Sequence, residues 1–143
     1  MRLLPKNWRE IAERINAEVN QCTYVADVPD WGRMPTDSKG GDCKNYGMEK
    51  FFRLLDAGFP VERLRLAICE IFIHAKQQRE QHLVLVIDAP HEQYVLSNSV
   101  SRLMTHPDLV LKGWQRKGIQ KIDPENPESL TWMRREFGPW EAA

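Results

Sequence analysis

Gly40-Gly41-Asp42-Cys43-Lys44-Asn45-Tyr46 is the stretch on which the reading of this chain turns. Two glycines free the backbone, an aspartate suited to cap a helix follows, and a cysteine then falls on the first helical turn. Tyr46, Phe51, Phe52, Leu54 and Leu55 continue with helical spacing until Ala57-Gly58 stops the helix. A thiol so placed meets unpaired backbone N–H groups and the positive end of the helix dipole, both of which favour the thiolate. The expectation is a reactive Cys43, as a cysteine hydrolase requires.

Outward from that helix, residues 7–20 carry Trp8, Ile11, Ala12, Ile15 and Val19 on one face and Arg9, Glu10, Glu13 and Arg14 on the other, which predicts an amphipathic packing helix. Residues 20–39 lose all period and are punctuated by Asp27, Pro29, Asp30, Gly32, Pro35 and Asp37; Trp31 reads as an aromatic anchor of that loop. After Pro60, period-two alternation through Leu64, Leu66 and Ile68 passes to Cys69, Ile71 and Ile73, predicting a strand with a bulge near Cys69-Glu70. Residues 75–81 read as a polar connection. His82-Leu83-Val84-Leu85-Val86-Ile87 and Tyr94-Val95-Leu96 then read as two strands of a hairpin, which sets His82 at a strand mouth. Trp114 is expected in a further strand, residues 122–127 in a loop and 130–137 in a short tail. The order predicts an α+β fold, with the cysteine helix packed on an antiparallel sheet, in a single domain spanning 1–143.

Composition narrows the function. Twenty basic residues balance twenty acidic ones, so no electrostatic footprint for nucleic acid or an anionic membrane surface is present. No apolar run approaches the ~20 residues of a membrane helix, and the N-terminus lacks the pattern of a signal peptide. Cytoplasmic localisation is the expectation, with virion association an alternative. Cys22, Cys43 and Cys69 show no CxxC pair, and His74, His82, His91 and His106 have no metal-ligand spacing; neither a disulfide framework nor a metal or other cofactor is expected.

Cys43 and His82, 39 residues apart, are the two members that papain-like chemistry needs: a thiol at a helix start and an imidazole on a strand. A third group must hold the second ring nitrogen. Ser97 and Asn98 on the hairpin partner are the candidates, and strand alternation lets only one of them face the ring. Asp88 lies about 20 Å along the strand from His82 and is out of reach.

With these residues the chain resembles the bacterial transglutaminase-like cysteine proteinases, the group of the LapG-type enzymes that cleave large surface adhesins. The resemblance runs from Val19-Asn20, Tyr24, Asp27, Trp31 and Pro35 through Gly41-Asp42-Cys43, Tyr46 and Lys50. It continues through Leu55, Gly58, Pro60 and Leu64-Arg65-Leu66 to His82-Leu83-Val84-Leu85 and Val95-Leu96-Ser97-Asn98. It implies a transglutaminase-like, papain-like fold and a protein or peptide substrate, with Cys43 as nucleophile and His82 as base. Trp31 becomes a candidate for oxyanion stabilisation. Two positions depart from the family pattern. Ser97 stands where the family has aspartate, and Lys44-Asn45 replace the acidic residues of the calcium-dependent members, so calcium is not carried over. A short, phage-encoded form fits these features. The altered acid position also motivates an alternative: a catalytically impaired relative used as a binding or structural module of a larger assembly. Acyl transfer to an amine would use the same residues.

Overall fold

A computed structural model describes residues 2–25 and 40–121. Helix α1 (Trp8–Val19) and helix α2 (Cys43–Asp56) precede a single 3-10 turn at Val61–Arg63. Strands β1 (Leu64–Ile73), β2 (Gln78–Asp88), β3 (Gln93–Ser97) and β4 (Val100–Thr105) follow, then a short helix α3 (His106–Leu111) and strand β5 (Gln115–Lys121). The strands form one sheet in the order β4-β3-β2-β1-β5, with antiparallel pairing throughout. The α+β architecture expected from the sequence is thus the observed one.

Period-two patterning divides the core into two layers. Leu64, Leu66, Ile68, Leu83, Leu85, Ile87 and Leu96 meet Ala12, Ile15, Val19, Met48, Phe51 and Leu54 of the two long helices. Ala67, Cys69, Val84, Val86, Val95 and Met104 point to the other face, where Leu109 of α3 covers them. Cys69 is the small buried hydrophobe its strand position suggests. The expected bulge is present but one step earlier, and only towards β5, where the register shifts between Ile68 and Cys69.

Two other expectations are corrected. Residues 78–81 belong to β2, because Gln78 to Gln81 pair in unbroken register with Ile73 to Glu70; backbone pairing overrides their polar side chains. His82 therefore sits inside a strand opposite Cys69, not at its mouth. Beyond the hairpin, β4 runs directly into α3, with Thr105 and Asp108 forming a reciprocal cap at the junction. Trp31, the 122–127 loop and the 130–137 tail lie outside the described residues. Among the described residues, no helix is long and apolar enough to cross a membrane.

The two long helices are tied to the sheet by polar contacts. Asn16 is fully buried, and its Nδ2 donates to the carbonyls of Val100 (3.0 Å) and Ser101 (2.8 Å). Asn20 Nδ2 donates to Ser97 O at 2.9 Å. Arg53 of α2 bonds Glu49 at 2.7 Å and reaches Glu18 of α1 at 3.5 Å.

Helix α2 lies close on β2 because Gly47 faces the sheet: a Cβ there would stand 2.9 Å from Leu83 Cδ2 and 3.4 Å from Leu66 Cδ2. Replacing Gly47 with valine is expected to cost about 1–3 kcal/mol by overpacking, read as a lowered midpoint in thermal denaturation. Gly58→Ala makes no such contact, its Cβ meeting only Pro5 Cγ at 3.8 Å, but Gly58 has φ +98°, so its loss of stability reports backbone strain and not crowding.

Candidate active site

The approach to Cys43 requires its two glycines. Gly40 has φ +81°, and a Cβ on it would lie 2.1 Å from the Thr23 carbonyl oxygen, so no other residue fits without rebuilding the turn. Gly41 then donates its N–H to Thr23 O (3.1 Å) and accepts from Val25 N–H (2.8 Å). This short parallel bridge, Tyr24 to Gly41, seats the start of α2. Asp42 caps the helix: its Oδ1 accepts from Lys44 N–H (3.2 Å), while Asn45 Oδ1 accepts from Asp42 N–H (3.0 Å). The Lys44 ammonium is paired with Asp42 Oδ2.

The β3-β4 hairpin opens the edge of β2 where the thiol arrives. Its turn at Asn98-Ser99 pairs Ser97 with Val100 and ends β3. The β2-β3 ladder therefore begins only at Leu85 opposite Leu96, leaving the Leu83 N–H outside it. That N–H and the backbone N–H of Cys43 itself are turned towards the Cys43 sulfur. The helix start thus meets the strand one residue from His82.

His82 is buried, and its Nε2 lies 2.9 Å from Ser97 Oγ. Of the two candidates for the third group, Ser97 touches the ring and Asn98 does not; Asn98 Oδ1 is buried without a hydrogen-bond partner. The contact is diagonal, since continuing the β2-β3 register would put Ser99, not Ser97 or Asn98, across from His82. With Nε2 engaged by Ser97, Nδ1 is the ring nitrogen left for another partner. On the face away from α2, Trp114 sets its ring edge-on to the imidazole, centroids 5.3 Å apart and planes at 75°. Trp114 immediately precedes β5, and nothing in the sequence relates it to a histidine 32 positions earlier.

The charge states differ from the expectation of a resting thiolate. Burial pushes the Cys43 thiol up, and the nearby Asp42 carboxylate adds to this. The Leu83 and Cys43 N–H groups and the Lys44 charge oppose the rise without overcoming it. Burial also pushes the His82 imidazole down to about 4, with the Lys50 charge a lesser cause. At neutral pH the resting pair is thiol and imidazole, because desolvation disfavours both charged forms. Lys50, two turns along α2 from Cys43, is itself almost completely buried. Its Nζ lies 5.9 Å from the centre of the Tyr46 ring, and burial lowers it to about 7.

The profile of the bacterial transglutaminase-like cysteine proteinases matches residues 1–116. The chain belongs to this family. Its fold is similar to that of Legionella pneumophila LapG, with a TM-score of 0.63 at 22% identity over 92% of this chain and 78% of LapG. The EGTA-treated LapG gives 0.62 at 22% identity, over 85% and 71% of the two chains. The calcium-bound form gives 0.60 at 21%, over 92% and 82%. No match is found among curated proteins.

Calcium takes six to eight oxygen ligands, several of them carboxylates. Around Cys43 the Asp42 carboxylate is paired with an ammonium, and the Asn45 side-chain oxygen is taken by the Asp42 N–H. No group of three His, Cys, Asp or Glu among the described residues could hold a metal ion. These residues do not fit a calcium ion.

Lys50 makes stability depend on pH with a definite sign. Its amine is lowered to about 7 in the folded protein from an ordinary 10.5, so the unfolded chain binds the extra proton between these values and stability rises with pH across that window. Below pH 7 both states are protonated and the full burial cost is present. Lys50→Met should raise Tm by roughly 5–10 °C at pH 6 and flatten the rise between pH 7 and 10 in a series of thermal melts.

Proposed function

We propose that the protein is a cysteine peptidase in which Cys43 is the nucleophile and His82 the general base. The observation that carries this reading is the thiol beside the Leu83 N–H, one residue along the strand from an imidazole whose Nε2 is engaged by Ser97. Membership of a proteinase family implies a protein or peptide substrate.

The chemistry starts from the neutral pair. As the sulfur attacks the substrate carbonyl carbon, the thiol proton passes to His82 Nδ1, and the electron pair of the carbonyl becomes the oxyanion. The Cys43 N–H at the helix start is a donor suited to that oxyanion. Collapse expels the amine, which takes the proton from His82, and leaves a thioester on Cys43. Water then attacks the thioester while giving a proton to His82, and the second collapse releases the acid and returns the proton to sulfur. Ser97 is a positioning residue here. Its hydroxyl can accept the ring's Nε2–H but brings no formal charge to stabilise the imidazolium, a weaker aid than a carboxylate. Lys44 offsets the Asp42 charge beside the sulfur as anionic character develops.

Incubation of the purified protein with a proteome-derived peptide library, read by mass spectrometry, tests the reading. New peptide termini are expected with the wild type, and their loss with Cys43→Ala and with His82→Ala. Ser97→Asp should raise the cleavage rate at neutral pH by roughly tenfold or more, as expected for a charged partner to the imidazolium. No cleavage by the wild type, with cleavage gained in Ser97→Asp, would instead assign the native chain to a binding role.

A further inference from the structure

The hydroxyl that touches His82 is not isolated. Ser97 Oγ lies 2.9 Å from Ser99 Oγ and accepts the Ser99 backbone N–H at 3.2 Å. Ser97 is buried to 1% exposure, whereas Ser99 is exposed at the hairpin turn. Asn20 holds this corner from α1, donating to Ser97 O and, at 3.3 Å, to Val100 O.

A serine hydroxyl has one hydrogen to give and two lone pairs to receive. The Ser99 N–H takes one lone pair of Ser97. The other lone pair and the single hydrogen must be divided between His82 Nε2 and Ser99 Oγ, and the division decides the tautomer of the imidazole. If Ser97 gives its hydrogen to Ser99, its free lone pair accepts from Nε2–H, and Nδ1 is bare and basic. If Ser97 gives its hydrogen to Nε2, the ring must carry its proton on Nδ1, the nitrogen that the thiol needs.

We infer that Ser99 is a second positioning residue for His82, acting through Ser97 as the acceptor that leaves Nδ1 free. This rests on the reading in which His82 is the base. The exposed hydroxyl of Ser99 passes its own hydrogen to solvent water, so the chain of donors is complete from the ring outward: Nε2–H to Ser97, Ser97 to Ser99, Ser99 to water. When the thiol proton reaches Nδ1, the same orientation serves the imidazolium, and no hydroxyl has to turn. Two serine hydroxyls 2.9 Å apart thus supply the fixed acceptor that a single carboxylate would present.

Removal of the Ser99 hydroxyl leaves the buried Ser97 hydrogen with one remaining acceptor, His82 Nε2, and drives the ring towards the blocked tautomer. The test uses protein labelled with 15N at histidine, with the tautomer of His82 read from its two ring nitrogens. Peptide cleavage is measured in parallel, on a substrate from the library that the wild type cuts. The wild type is expected in the Nε2–H form. Ser99→Ala is expected to shift the population towards Nδ1–H and to lower kcat by roughly five- to tenfold with KM unchanged. Ser99→Thr, which keeps the hydroxyl, should restore both. An unchanged His82 tautomer in Ser99→Ala would overturn the inference, as would a loss not rescued by threonine. A wild type that cuts no peptide but shows the tautomer shift in Ser99→Ala would refute the proposed peptidase and leave the hydroxyl pair standing.

Discussion

The close approach of α2 to β2 is the constraint on which the site depends. Gly47 presents no side chain to Leu83, so the helix settles near enough for its first residue to use a hydrogen-bond donor of the strand. One turn before Gly47, Cys43 meets the Leu83 N–H that β3 leaves free. The two-residue turn at Asn98-Ser99 is the second half of this arrangement. It stops β3 early, opens the edge of β2, and folds Ser97 back towards His82. A longer β3 would close the ladder over the position the thiol uses. The glycine and the tight turn are cheap in sequence terms, and together they determine which atoms can meet.

Burial then sets the charge state of the pair. His82 is buried, with Trp114 edge-on to its ring. Neither the helix start nor Lys44 outweighs the desolvation of the sulfur. Cys43 and His82 are thus both held in their neutral forms at rest. In this respect Ser97 is consistent with its surroundings. A neutral orienting hydroxyl suits a neutral resting ring, whereas a carboxylate would favour the imidazolium before substrate arrived.

Much of this was legible in the sequence, for physical reasons that can be named. Helix starts and strand alternation are local properties, so Asp42-Cys43 and the alternation of Leu64, Leu66 and Ile68 announced themselves. Ser97 could be narrowed to one of two because a strand faces only two ways. What was hidden depends on distant chain segments or on water. The polar start of β2 is held by backbone pairing with β1, to which side-chain polarity is blind. Trp114 reaches His82 only through the return of the chain to β1. Ser99 joins the site by hydrogen-bond counting at a turn whose register no pattern of apolar residues specifies. The helix dipole at Cys43 could be read from the sequence, while the depth of burial that opposes the thiolate could not.

The pH dependence of Cys43 alkylation by iodoacetamide, followed by peptide mass spectrometry to separate it from Cys22 and Cys69, tests the central claim that the resting pair is neutral. The account predicts slow labelling at neutral pH and a single rise centred above the ordinary thiol range. A plateau of fast labelling from about pH 5 to 8 that disappears in His82→Ala would reveal a preformed thiolate-imidazolium pair and contradict it.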